Sequence, residues 1–230
     1  KGYNGDVTNW NTSNATNIIR MFAGLSATHT SSFNQDVSTK PVVVAAGTPL
    51  QKSYNAWDVS NVTNFSHTNT TNTGFFRGPF VWNRVFNQDI GNWQINTGSA
   101  VQMNGMFYEC TAFNQDISTK EVTVGSKTYI AWDTEKLAGT IGMFHRADVF
   151  NQPIGNWNLS NVTDMSQMFY QHQNFNQEIS ASVQNIGGKT YNAWYTPNNR
   201  NYVSTFRQSI FNKDISNWNT SNVVSFSNMF

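Results

Sequence analysis

One phrase recurs seven times along the chain. Segments of the form Phe-Asn-Gln-Asp-Ile begin at Tyr3, Phe33, Phe86, Phe113, Phe150, Phe175 and Phe211. Each is followed by a single tryptophan: Trp10, Trp57, Trp93, Trp132, Trp157, Trp194 and Trp218. Only Trp82 stands outside the scheme. A unit of roughly 25 residues cannot bury its own apolar face, so repeats of this length must stack on their neighbours. The chain therefore reads as a single array, residues 1–230, of seven units.

The copy from Phe150 to Phe169 shows what one unit should contain. Ile154, Trp157 and Leu159 are spaced as in a short strand with one buried face. Val162, Met165, Met168 and Phe169 follow at i, i+3, i+6 and i+7, the stripe of a helix. Ser160 stands where an N-cap would be, and Asp164 falls in the first turn. The last copy repeats the pattern with Ile215, Trp218, Val223, Phe226, Met229 and Phe230. The expectation is an α/β repeat solenoid with short parallel strands on one side and short helices on the other. A Phe comes 12 residues after the Trp in five copies, and in copy two Asn69 stands where that Phe is expected.

Asparagine occupies the second position of the phrase in every copy: Asn4, Asn34, Asn87, Asn114, Asn151, Asn176 and Asn212. One polar side chain at every rung can hydrogen-bond along the stack and satisfy turn backbone, so these residues read as an asparagine ladder. The seven repeat tryptophans read as a buried core seam.

The units alternate. The Ile or Val lies 3 residues before the Trp in copies one, three, five and seven, but 20, 15 and 15 before it in copies two, four and six. Val122-Thr-Val and Lys127-Thr-Tyr flank Gly125-Ser126, a Gly-first pair suited to a type II′ turn. Gly187-Gly188 precedes Lys189-Thr-Tyr, and Val42-Val-Val lies in the longer insert. The inserts read as β-hairpins on alternate repeats. Rungs ~4.8 Å apart place them ~9.6 Å apart, near the ~10 Å of face-packed sheets, so they should pack as a lateral fin.

Composition removes several classes. Fourteen Lys and Arg against thirteen Asp and Glu exclude nucleic-acid binding by counterion release. No apolar run approaches the ~18 residues of a membrane-spanning helix. One cysteine, Cys110, excludes an intramolecular disulfide framework and a cysteine zinc site. Seventeen Phe and eight Tyr, beside eight Trp, argue against disorder.

Nothing in the sequence converges on catalysis. The motif carboxylates Asp6, Asp36, Asp89, Asp116 and Asp214 give way to Pro153 and Glu178 in two copies, which suits structure better than a calcium ladder. His29, His67, His145 and His172 share no position. Cys110 reads as a small buried side chain. No catalytic residue, metal or cofactor is expected. Trp82, with Phe75, Phe76 and Phe80, forms an aromatic-rich loop. It reads first as a cap on the local core, and second, with Tyr195, as a glycan contact. Eight N-glycosylation sequons occur, at Asn11, Asn14, Asn61, Asn64, Asn69, Asn158, Asn161 and Asn219. Their number is close to what chance gives in so Asn-rich a chain, so they are candidates only.

The phrases Phe211-Asn-Lys-Asp-Ile-Ser-Asn-Trp-Asn-Thr-Ser-Asn-Val and Trp157-Asn-Leu-Ser-Asn-Val-Thr-Asp-Met-Ser-Gln-Met-Phe169 resemble the BspA-type bacterial surface-protein repeat. The resemblance implies a leucine-rich-repeat-like solenoid displayed on a cell or virion surface, without catalytic residues. The expected function is thus a non-catalytic extracellular repeat protein with a structural, adhesive or assembly role; a carbohydrate-binding module is the alternative. Expected partners are copies of itself, neighbouring surface proteins, and host glycans or proteins. The array is expected to be a fragment of a longer one.

Overall fold

The computed structural model describes residues 3–66 and 78–230. Its strands are β1 (Lys40–Val44), β2 (Lys52–Ala56), β3 (Val101–Gln102), β4 (Lys120–Val124), β5 (Lys127–Ala131), β6 (Leu137–Gly139), β7 (Ser182–Ile186) and β8 (Lys189–Ala193). No described residue is helical. The expectation of an α/β solenoid with leucine-rich-repeat-like strands and helices is overturned.

The segment Val162–Phe169 shows why the helical spacing misled. Met168, Tyr170 and His172 each donate N–H to the carbonyl three residues earlier. Between them, Gln167, Phe169 and Gln171 donate to Val203, Thr205 and Arg207 of the next unit. Gln167 and Gln171 hold positive φ (58° and 54°), which interrupts any α-helical run. A chain of such turns returns an apolar residue to the core every three or four positions, as a helix does. Unlike a helix, it keeps half its N–H groups free to bind the neighbouring unit. Ser160 caps nothing; its hydroxyl donates to Asn158 Oδ1.

The strand expectation is corrected too. Ile154, Trp157 and Leu159 lie in no strand. Among the described residues parallel pairing is confined to β3 with β6 and to single bridges: Asn17 with Asn64, Asn64 with Gln102, Gly139 with Asp164, Asp164 with Asn201, and Asn201 with Ser225. These fall between the Trp and the following Phe, one per unit.

The three inserts form antiparallel pairs: β1 with β2, β4 with β5, and β7 with β8. Gly125 alone has positive φ (61°) in the second turn, and Gly187 and Gly188 both do (55° and 78°) in the third. Two consecutive positive φ values define a type I′ turn, which glycine adopts without strain.

Phenylalanine builds the core in two columns. Phe33, Phe86, Phe113, Phe150, Phe175 and Phe211 stack from unit to unit at 5.9 to 6.4 Å. Phe22, Phe80, Phe107, Phe144, Phe169, Phe206 and Phe230 stack beside them at 5.5 to 6.0 Å. Offset stacking at these separations suits the ring quadrupole. Copy two does have its Phe: Phe80 fills the column, 23 residues after Trp57. Asn69, read as that position, lies outside the described residues, as do His67, Phe75 and Phe76.

Candidate functional site

The groups that recur in sequence meet along one seam. Each of the first six ladder asparagines, Asn4 to Asn176, accepts, through Oδ1, the N–H of the asparagine in the next unit. The distances are 2.8 Å for Asn34 on Asn4, 3.0 Å for Asn87 on Asn34 and 2.9 Å for Asn114 on Asn87. They are 2.9 Å for Asn151 on Asn114, 3.1 Å for Asn176 on Asn151 and 3.1 Å for Asn212 on Asn176. Glutamine follows in five of these units and its amide donates to the same Oδ1.

Tryptophan makes the second link. The indole N–H of Trp57, Trp93, Trp132, Trp157, Trp194 and Trp218 donates to the Val or Ile carbonyl of the preceding unit, at 2.7 to 3.0 Å. The first five rings are fully buried and Trp218 is 6% exposed. Trp10 is 47% exposed, because among the described residues no earlier unit covers it.

A third set of bonds distinguishes hairpin-bearing from hairpin-less units. In the hairpin-less units the residue before Trp is asparagine. The side-chain amides of Asn92 and Asn156 clasp the backbone of Thr39 and Thr119 by both N–H and C=O. Asn217 clasps Ala181 in the same way. From the other side, hairpin tyrosines Tyr54, Tyr129 and Tyr191 donate their hydroxyls to the carbonyls of Asn9, Asn92 and Asn156. The hairpins also touch one another. A Cβ on Gly125 would lie 3.7 Å from Pro41 Cβ, and one on Gly187 would lie 2.9 Å from Ile130 Cδ1. Lys189 adds ion pairs to Asp133 (2.6 Å) and Glu135 (3.2 Å).

The carboxylates are spent on turns. Oδ1 of Asp6, Asp36, Asp89, Asp116 and Asp214 each accepts the N–H two residues on, at 2.7 to 2.9 Å. At Asp36 and Asp116 burial works to raise the pKa, yet hydrogen bonds from Lys40 and Lys120 and from the turn hold both below the ordinary value. Among the described residues no three His, Cys, Asp or Glu side chains gather as a metal site.

Both buried histidines are kept neutral. Burial lowers His172 to about 3 and His145 to about 4. His172 Nδ1 accepts the N–H groups of Asn174 and Phe175, and its Nε2 has no partner among the described residues. His145 lies between Tyr108 and Tyr170, with ring centroids 4.3 and 4.7 Å away. Burial raises the Cys110 thiol, which donates to Phe80 O. Glu109, 4% exposed, is held by Arg84 and by Arg146 at 3.6 Å.

The two residues read as a glycan contact differ. Trp82 is 8% exposed, two residues beyond Phe80, and packs edge-on against Tyr108 at 6.2 Å. Tyr195 is 38% exposed, and its hydroxyl accepts from Asn219 Nδ2. Of the sequon asparagines, Asn11, Asn14, Asn61, Asn64 and Asn161 are exposed, Asn158 and Asn219 are half-buried, and Asn69 lies outside the described residues. Asn11, Asn158 and Asn219 accept turn N–H groups.

The sequence pattern of one family matches residues 1–75, 44–130, 126–186 and 184–230, and so runs along the whole chain. That family is DUF285, described as a Mycoplasma protein of unknown function. The chain belongs to it. No curated protein and no solved structure matches the chain.

Within this DUF285 array, reading the sequence missed the clasp and the tyrosine bond, although both leave a signal. Asparagine precedes Trp in every hairpin-less copy, at Asn9, Asn92, Asn156 and Asn217. Tyrosine stands three before Trp in every hairpin copy, at Tyr54, Tyr129 and Tyr191. The Glu109–Arg146 pair also left a signal, because each of the two residues stands two after a column Phe and four before the motif Phe; Arg84, two before Phe86, holds a different position.

Proposed function

We propose that this DUF285 chain is a non-catalytic repeat protein of the extracellular surface, with a structural, adhesive or assembly role. The observation that carries the reading is where the recurring polar groups go. The ladder asparagines, seam tryptophans, motif aspartates and clasp asparagines are engaged in turns and unit-to-unit bonds, which builds a scaffold and leaves no recurring group for chemistry. The likeness of the Phe211 and Trp157 phrases to the BspA-type repeat supports placement on a cell or virion surface. Partners in this reading are surface proteins, including further chains of the same class.

The test immobilises residues 1–230 and probes them with surface proteins of the source cell and with a glycan array. The reading expects saturable protein binding and no glycan. Saturable binding of a defined glycan, abolished by Tyr195→Ala, would replace it with a carbohydrate-binding function.

A further inference from the structure

We propose that the lateral edge of the stack around Arg146 and Asp148 is a contact between two copies of this chain, related by a two-fold axis that sets Arg146 of each against Asp148 of the other. The inference names a second copy as a partner for the assembly role and rests on that reading.

The edge is built by the segments between a column Phe and the next motif Phe. From Phe80 to Phe211 these segments carry Arg84, Arg146 and Arg207, two carboxylates, Glu109 and Asp148, and no lysine. Trp82, Tyr108 and Tyr170 stand among them. Arginine and aromatic side chains without lysine are the composition of protein interfaces rather than of solvated surface. The segment from Phe144 to Phe150 has described neighbours on both sides, so its edge is not an end of the stack.

The stack holds this edge rigid. The backbone N–H groups of Glu109, Arg146 and Gln171 donate to the carbonyls of His145, Tyr170 and Arg207 in the next unit, at 2.8 to 3.0 Å. The Arg207 guanidinium lies over the Tyr170 ring, 5.9 Å from its centroid. A surface already ordered loses little freedom on binding.

A recess of about 320 Å³ opens on the edge, lined by Arg146, Asp148, Gln171, Gln173 and Gln208. Arg146, Gln171 and Gln208 share one repeat position, two after the column Phe, and all hold positive φ (51°, 54° and 58°). Glycine would adopt that conformation without strain, yet the position carries the long polar side chains that line the recess.

The groups in the recess are self-complementary. Arg146 is 48% exposed and reaches Glu109 only at 3.6 Å, while Arg84 holds Glu109 more closely. Asp148, two residues on, makes no ion pair or side-chain hydrogen bond among the described residues, and burial raises its pKa against the pull of Arg146. One cation and one anion thus lie in one segment without pairing with each other. Gln171 Nε2 donates to Gln208 Oε1 at 2.7 Å. That bond leaves Gln171 Oε1 as an acceptor and Gln208 Nε2 as a donor, neither with a partner among the described residues. Matched donors and acceptors with no net charge select neither an acidic nor a basic partner. They select the same surface turned round. A half-turn brings the cation of each copy to the anion of the other and closes two arginine–carboxylate pairs at once. Val149, next in sequence and 40% exposed, adds apolar area to the same contact.

The experiment measures self-association of residues 1–230 by sedimentation equilibrium across a concentration series. The unaltered chain should dimerise. Asp148→Arg makes the spot wholly cationic and Arg146→Glu makes it wholly anionic, and each should weaken the dimer about tenfold or more. An equimolar mixture of the two single variants should recover the original affinity, because each then faces opposite charge. The doubly exchanged chain, Arg146→Glu with Asp148→Arg, should recover it too. Melting temperatures establish that each variant folds, since Arg146→Glu brings a carboxylate near Glu109. If that variant does not fold, Arg146→Gln and Val149→Lys replace it, and each should weaken the dimer.

A monomer at every concentration overturns the proposal. So does a dimer that no folded variant weakens, or a mixture of folded single variants that fails to associate. None of these results touches the assembly reading, which falls only if the immobilisation test finds no protein binding.

Discussion

The unit from Phe150 and the unit from Phe175 share one phrase but close it differently. In the first, Ile154-Gly-Asn-Trp157 is a tight turn, and the Trp157 N–H bonds to Ile154 within the unit. In the second, a 15-residue path through β7 and β8 separates Ile179 from Trp194. The chain re-enters the seam from the hairpin, Trp194 takes φ 50°, and its N–H bonds to Trp157 of the unit before. Trp57 and Trp132 do the same at φ 50° and 47°. A non-glycine residue held in the left-handed region costs of order 1 kcal/mol, offset here by the cross-unit bond and by full burial of the ring. An insertion thus converts an internal turn into a link between units, which is why the two kinds of unit must alternate for every bond to be made.

The comparison holds that the indole seam is common to both kinds of unit. Trp157→Ala and Trp194→Ala should therefore each cost about 3–5 kcal/mol in denaturant unfolding, since both rings are fully buried. Trp10→Ala, in a ring 47% exposed, should cost clearly less. A large difference between the first two would break the equivalence.

A second test sharpens the role of His172. Its pKa lies at about 3 in the fold against an ordinary 6.5. As pH falls below 6.5 the unfolded chain takes up a proton that the folded chain refuses. Stability is therefore lost progressively down to about pH 3, by about 3 kcal/mol at pH 4. Asn83 stands at the same place before Phe86 and accepts the same turn N–H groups through Oδ1. His172→Asn should keep the fold and move the acid-unfolding midpoint to lower pH. An unchanged midpoint would show that His172 does not set acid stability.

Smaller effects probe the links between unit kinds. Asn156→Ala strips both clasp bonds from Thr119 and should cost about 1–3 kcal/mol. Tyr191→Phe removes one hydroxyl bond to Asn156 and should cost about 1 kcal/mol, with no change in circular dichroism. If Asn156→Ala proves neutral, the alternation is not held by these bonds.

Much of this was legible because repetition exposes constraint. The seven asparagines and the alternating spacing are visible without coordinates. The helix was not legible correctly, because Val162, Met165, Met168 and Phe169 fit a helix and a chain of cross-bonded turns equally well. Only the direction of the N–H groups tells the two apart, and side-chain periodicity carries no record of it. Phe80 was missed as the Phe of copy two because an insertion lies between it and Trp57, so fixed spacing pointed to Asn69. Trp82 reads as a cap on the local core, with a glycan contact as the second reading, because it stands outside the repeat; once Phe80 is placed in the column, Trp82 falls two residues beyond it and packs against the next unit through its N–H to Tyr108.

The central claim is that each unit is fixed by bonds to its neighbours, with the tryptophan indole as the recurring donor. Hydrogen exchange of the indole N–H groups, followed by NMR in the native state, tests it most directly. Trp57, Trp93, Trp132, Trp157, Trp194 and Trp218 should be strongly protected and Trp10 should exchange fast. Fast exchange throughout the seam, or protection of Trp10 equal to that of Trp157, would contradict the account.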